Sequence, residues 1–282
     1  MKTTICGKIP GAAASIALVA LGLSGVTVFA AATAFDTAAF YVGTWSTSPA
    51  NNGTGFGAWN VNVENDTSPP YVGTYLAGSG DTPIIDGSSN AWATYANGGS
   101  PANGEIVFTR PFTAGSVSDS SSLYDQTFSF NLGSGGVGPG QGLLSAAVGN
   151  AFLFEYDGTV SGDSMLLSID GGTAASTGVT FSELNAGINI SLAVSGAVNS
   201  PAEGYTFTVA TFNGDSPLFT QSGTFDSSTY NTSQFQYTDS DTTQNGYFNT
   251  LNITAEAVPE PASLALLGMS SLSALFAFRR RK

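Results

Sequence analysis

Histidine is absent from this 282-residue sequence, and cysteine occurs once, at Cys6. Without histidine there is no Ser-His-Asp or Cys-His nucleophile system and no histidine-ligated zinc. Cys6 lies close to the N-terminus, so the body of the chain has neither thiol nor disulfide. Basic residues are almost as scarce, with seven Lys and Arg against twenty Asp and Glu. Lys2 and Lys8 belong to the N-terminus, and Arg279, Arg280, Arg281 and Lys282 to the C-terminus, which leaves Arg110 alone between them. Among the acids only Glu260 falls in the tail, so residues 35–258 carry nineteen acids and one base, a net of −18. A segment this acidic repels phosphate backbones, which argues against nucleic acid as a partner. Any chemistry rests on carboxylates, hydroxyls or a bound calcium, and no cofactor is indicated.

The most specific signals sit at the two ends. Residues 1–34 read as a secretory signal peptide. Lys2 and Lys8 form its charged start, and Ala12 to Ala31 is apolar or small. Ala32-Thr33-Ala34 places small residues where a signal peptidase inspects them, so cleavage is expected after Ala34, with a retained anchor as the alternative. At the other end, Pro259-Glu260-Pro261 precedes an uncharged run from Ala262 to Phe278, which Arg279, Arg280, Arg281 and Lys282 close. These seventeen residues are at the short end for a membrane-spanning helix. The basic cluster stays cytoplasmic, which puts the body on the outer face of the inner membrane. Two prolines around a glutamate cannot continue a helix, so they mark an accessible segment just outside the lipid.

This three-part tail, residues 258–282, resembles the PEP-CTERM sorting signal, which an exosortase recognises in the inner membrane of Gram-negative bacteria. The resemblance implies transient inner-membrane association and removal of the tail. It also implies final residence in the envelope, at the cell surface or in the extracellular polymer, often in exopolysaccharide-producing organisms that build biofilms. An ordinary C-terminal anchor is the alternative.

Between the ends, residues 35–257 show two-residue alternation rather than a helical period. Trp59 to Glu64 alternates, and Phe128, Phe130 and Leu132 share one face. So do Ile188, Ile190, Leu192 and Val194, and likewise Tyr205, Phe207 and Val209. Tyr247, Leu251 and Ile253 follow the pattern more loosely. Turn clusters such as Asn97-Gly98-Gly99, Asp157-Gly158 and Asp170-Gly171-Gly172 separate the runs. No composition break divides the region. The expectation is all-β, a single antiparallel β-sandwich of about a dozen to fifteen short strands, flanked by the signal-peptide helix and a C-terminal transmembrane helix. Gly133 to Gly142 is the candidate long loop, and the echo of Tyr41–Trp45 in Tyr71–Tyr75 reads as shared strand-and-turn composition. The order of Thr74–Gly80, Asn90–Tyr95, the strand around Phe128 and Phe130, Phe152–Gly158 and the closing Phe248–Ile253 is similar to concanavalin-A-like jelly-roll domains.

Three constellations bear on chemistry. Glu155 and Asp157, two apart on a strand, share a face about 6.5–7 Å apart, and glycoside hydrolysis needs such a carboxylate pair. They resemble the Glu-x-Asp core of laminarinase-type jelly-roll hydrolases. That motif continues to a further Glu, where this chain turns through Gly158, so the catalytic role is not carried over and no catalytic residue is assigned. Asp157, Asp163, Asp170, Asp215, Asp239 and Asp241 sit in turns that could lend oxygens to calcium, but none completes a calcium loop and no metal ligand is assigned. Trp45, Trp59 and Trp92 could stack on sugar rings, but Trp59 alternates in phase with Val61 and Val63 and reads as core. Trp92, beside Asn90, Tyr95 and Asn97, is the candidate surface aromatic for sugar stacking, with Tyr95 next to it.

The leading expectation is therefore a non-enzymatic structural or adhesive protein of the envelope or extracellular matrix. Its partners are a signal peptidase, an exosortase and exopolysaccharide. A lectin-like polysaccharide-binding module is the alternative, and a carboxylate glycosidase ranks third. If the tail is a sorting signal, intact-mass spectrometry of protein from producing cells should find a C-terminus close to Pro259-Glu260-Pro261. Native material that still carries Arg279 to Lys282 would identify a plain anchor instead.

Overall fold

The computed structural model describes residues 31–41, 43, 45–46, 49–64, 72–85, 90–96, 104–112, 123–135, 142–149, 151–158, 164–197, 203–212, 214, 216–225, 234–240 and 245–257. The leader before residue 31 and the tail after residue 257, including both expected terminal helices, lie outside the described residues. Among the described residues no helix is long and apolar enough to cross a membrane.

Fifteen strands are described: β1 (Ala31–Asp36), β2 (Asn60–Glu64), β3 (Val72–Ala77), β4 (Ala91–Ala96), β5 (Glu105–Pro111), β6 (Leu123–Ser134), β7 (Leu143–Val148), β8 (Phe152–Asp157), β9 (Ser164–Ile169), β10 (Ala175–Thr180), β11 (Ile188–Ala197), β12 (Glu203–Thr211), β13 (Pro217–Phe225), β14 (Gln234–Ser240) and β15 (Asn245–Ala257). They form two antiparallel sheets in a sandwich-like arrangement. The eight-stranded sheet runs β13-β12-β11-β6-β15-β4-β3, with β1 paired to β15. The seven-stranded sheet runs β10-β9-β8-β7-β14-β5-β2. One short helix, α1 (Phe181–Ala186), starts in a capping box in which Thr180 and Glu183 satisfy each other's backbone N–H groups.

Alternation in the sequence becomes burial in the sandwich. Phe128, Phe130 and Leu132 of β6, the aliphatic row of β11, and Tyr205, Phe207 and Val209 of β12 all pack into the core. The looser pattern in β15 has a specific cause. The register of β15 against β6 slips between Asn249 and Asn252, and Thr250 takes a left-handed φ of 54°. This bulge inverts the strand's phase. Phe248 faces the core before it and Leu251 and Ile253 face the core after it, whereas Tyr247 packs on the opposite face with Ile84. The expected shared face of Tyr247, Leu251 and Ile253 is therefore corrected to Phe248, Leu251 and Ile253. Of the expected Gly133–Gly142 loop, Gly133 and Ser134 belong to β6. Tyr41 and Trp45 are core residues outside any strand, whereas Val72 to Tyr75 lie in β3, so the local echo carries no structural repeat.

At the centre lies an aromatic cluster. Trp45 stacks on Phe108 at 5.2 Å and meets Trp59 and Trp92 at 5.5 Å each. Beside it the one base of the body is buried. Arg110 is 1% exposed, ion-paired with Asp36, which is 0% exposed. Its Nε donates to Gly57 O at 3.2 Å, Nη2 to Asn52 O at 2.6 Å and Nη1 to Tyr41 Oη at 3.2 Å. Its guanidinium lies 4.7 Å over the Trp59 ring and 5.0 Å over Phe56. Tyr41 Oη donates to Asp36 at 2.7 Å and accepts from Trp59 Nε1 at 2.9 Å. Burial lowers the Arg110 pKa to about 10, which leaves it charged at neutral pH.

Asp36 places β1 in this core, and Ala34 is buried with it. The strand begins at Ala31, upstream of the cleavage expected after Ala34, and a cut there would strip Ala31 to Ala34 from the sheet. The run of small residues satisfies the leader rule at several offsets.

Replacing one partner of the buried pair leaves an uncompensated charge, a loss of about 3–5 kcal/mol. Urea unfolding of Arg110→Met should show a loss of that size. In the double variant Arg110→Met/Asp36→Asn the loss should be clearly smaller than the sum of the two single losses.

Candidate ligand-binding face

The core face of β4 takes Trp92 and Thr94, so Tyr95 points to the opposite face of the eight-stranded sheet. Trp92 is 0% exposed, which corrects its expected place at the surface. Its polar sequence neighbours are misleading because Trp92 lies on the core face of β4, packed against Tyr41, Trp45, Trp59 and Phe248. Tyr95 is half-buried, and its neighbours across the strands are Gly73 of β3 and Asn245 of β15. One step along the same face, Tyr75, Ala93, Tyr247 and Gly133 form the next row.

The two rows make a tyrosine–asparagine patch. Asn245 Nδ2 donates to Tyr75 Oη at 2.7 Å and lies 3.3 Å from Tyr247 Oη. The two tyrosine hydroxyls are 3.3 Å apart. Gly73 lets the Tyr95 ring lie down on β3, because any Cβ there would strike the tyrosine hydroxyl. Burial raises the Tyr75 pKa, with the Tyr247 hydroxyl adding to it, so Tyr75 is neutral at physiological pH. Behind the patch the face continues in amides. Asn189 Nδ2 donates to Asn131 Oδ1 at 2.8 Å. Buried Asn249 donates to Ile84 O and Asn90 O, and accepts from Ala38 N at 3.0 Å and Thr250 N at 2.8 Å. Half-exposed rings beside amide donors, with no basic group among them, are chemically suited to neutral hydroxylated ligands such as sugars.

Glu155 and Asp157 lie on the outer face of the seven-stranded sheet, half-buried rather than at a free solvent edge. Glu155 stands between Leu166 and Ser145, and Ser145 faces Thr238 of β14. Ser145 and Thr238 are themselves buried, so this outer face is not open to solvent at its centre. Burial pushes the Glu155 carboxyl above the usual glutamate range, and the Asp157 charge adds to the shift. Farther along the sheet Glu64 and Glu105 face each other across β2 and β5. Burial first, then Glu64, raises the Glu105 carboxyl likewise.

The six acids named for calcium do not behave alike. Asp239 is not a turn residue. It sits in β14, 0% exposed, and accepts from Thr94 Oγ1 at 2.6 Å in a buried group with Tyr237. Burial first, then the nearby Asp239, holds the Tyr237 hydroxyl well above its ordinary pKa. Asp157 ends β8, and Asp170 occupies an exposed turn at φ 52°. Asp163, Asp215 and Asp241 lie outside the described residues. Among the described residues no three Asp, Glu, His or Cys side chains converge on a metal site.

Residues 257–282 match the PEP-CTERM protein-sorting motif. The chain therefore carries the signal of an exported protein with a C-terminal membrane anchor, and an exosortase is its processing partner. No curated protein sequence matches the chain. Among solved structures it is similar to arcelin-5, a lectin-like defence protein from Phaseolus vulgaris, at 8% identity over 71% of this chain and 99% of that one, with a TM-score of 0.40. It is also similar to a carbohydrate esterase of the Shiga toxin-encoding bacteriophage phi24B, at 10% identity over 70% and 89%, with a TM-score of 0.39. A third is the exoplasmic/lumenal domain of VIP36 bound to Ca2+ and Man3GlcNAc, at 11% identity over 72% and 88%, with a TM-score of 0.38.

The raised carboxyls have a pH signature. A glutamate that holds its proton more tightly folded than unfolded favours folding below its unfolded pKa, and loses that contribution as pH rises through the folded value. Glu155→Gln should therefore raise the melting temperature at pH 7 and give little gain below about pH 4. Thermal melts of wild type and variant at both pH values measure the difference.

Proposed function

We propose that this chain is a structural, adhesive component of the cell surface or extracellular matrix, delivered there when an exosortase removes its tail. The observation that carries the reading is the junction at Ala257. The last strand ends at Ala257 and the sorting motif begins at residue 257, so loss of the tail leaves every described strand in place. The absence of histidine, a single cysteine confined to the leader and the lack of a completed catalytic motif support a non-enzymatic role. A body with a net charge of −18 suits solubility among neutral polymers rather than binding to phosphates.

A second reading, a lectin-like module for neutral polysaccharide, is favoured by the Tyr75, Tyr95 and Asn245 patch. In that reading the exposed part of Tyr95 stacks on a sugar ring, and Asn245 and Tyr75 bond its hydroxyls. Trp92 has no part in it.

Fractionation of producing cells should place the processed protein with the envelope or the extracellular polymer; retention as a free periplasmic protein would overturn the leading reading. A glycan array of the processed protein separates the two readings. Saturable binding of a defined neutral glycan, weakened about three- to tenfold by Tyr95→Ala without a change in melting temperature, would establish the lectin-like module. Release of reducing sugar by the wild type, lost in Glu155→Gln, would replace both readings with hydrolysis.

A further inference from the structure

β1 and β15 are antiparallel neighbours, with Ala31 facing Ala255, Ala34 facing Ile253 and Asp36 facing Leu251. The leader therefore enters the sandwich, and the sorting tail leaves it, at the same end of one strand pair. Paired strands lie about 4.7–4.9 Å apart. From Ala257 to Ala262, where the apolar run begins, the chain reaches at most about 18 Å. A folded domain on so short a tether has that end against the lipid.

The same end limits what a protease can grasp. Ala255, Glu256 and Ala257 are paired on one flank with Gln126, Asp125 and Tyr124 of β6, and Ala255 is paired on the other with Ala31. A peptide bound in extended form uses the backbone groups that a sheet already occupies. Val258 alone separates the paired strand from Pro259.

We infer that the pole formed by the start of β1 and the end of β15 is the surface this precursor presents to the membrane and to its sorting protease. Pairing of the end of β15 restrains the tail cut, so removal of the tail waits for Ala255–Ala257 to leave the sheet. This rests on the reading of the tail as a processed sorting signal. It also requires the leader cut to fall N-terminal to Ala31, since β1 supplies one flank of the restraint. Contact with lipid depends on the tether alone, because the one base of the body, Arg110, is buried in its ion pair with Asp36.

The test follows tail removal from the full-length chain by pulse-chase in cells that contain the sorting enzyme. Ala32 faces Thr254, so the variant Ala32→Cys/Thr254→Cys can lock the pair with a disulfide. The chain's own cysteine, Cys6, departs with the leader. The lock, scored on non-reducing gels, should slow tail removal about tenfold, and reductant should restore the rate. Six Gly and Ser residues inserted between Ala257 and Val258 should speed removal and abolish the effect of the lock. A rate indifferent to both lock and spacer overturns the inference, and so does a folded double-cysteine variant that forms no disulfide. Failure of the wild-type tail to be cut at all would instead overturn the sorting reading.

Discussion

The structure depends on one buried charge pair. Arg110 and Asp36 belong to strands in different sheets, β5 and β1, and their contact crosses the sandwich. A buried ion pair is a weak source of net stability, but a severe penalty on any arrangement that separates the two ions. Here the surroundings meet the remaining demands. Tyr41 bonds both ions, the carbonyls of Asn52 and Gly57 take guanidinium protons, and the Trp59 ring covers one face. Tyr41, Asn52, Gly57 and Trp59, all between Asp36 and Arg110 in the chain, are tied to the pair by these contacts. Through Asp36 the pair also fixes β1 against β15.

Much of the fold was legible because alternation and burial report the same physics. The strands of β6, β11 and β12 could be read directly, since each buries one uninterrupted row of large apolar residues. The β15 phase change could not, because a bulge leaves no mark in composition; only a threonine with positive φ betrays it. Trp92 was misplaced for a related reason. Its local neighbourhood is polar, and the rings that enclose it, Tyr41, Trp45, Trp59 and Phe248, come from distant parts of the chain. Arg110 stood out as the one base of the body, yet neither its burial nor its partner could be inferred, because Asp36 lies far away in sequence beside the leader. Asn249 was invisible among many asparagines, although it joins the β3–β4 connection, the turn at Ala38 and the bulge in one set of bonds.

The polar groups around Tyr75 and those around Glu155 differ in kind. The eight-stranded sheet carries neutral hydroxyls and amides around Tyr75 and Asn245, whereas the seven-stranded sheet carries carboxylates at Glu155, Asp157, Glu64 and Glu105. The first arrangement offers donors at no electrostatic cost. The second gathers like charges in partly desolvated positions, which strains the fold at neutral pH.

The depletion of bases has a consequence for survival outside the cell. Between the leader and the sorting tail, Arg110 is the one residue after which a Lys- or Arg-specific protease could cut. It is followed by Pro111, a bond such enzymes do not accept, and it is sealed in the core. A trypsin-like protease thus meets no usable bond in the folded domain, and none even when the domain unfolds. The same composition leaves no lysine amine in this region for aldehydes or amine-directed cross-linkers to modify. Digestion resistance in this chain is a property of its composition as much as of its fold.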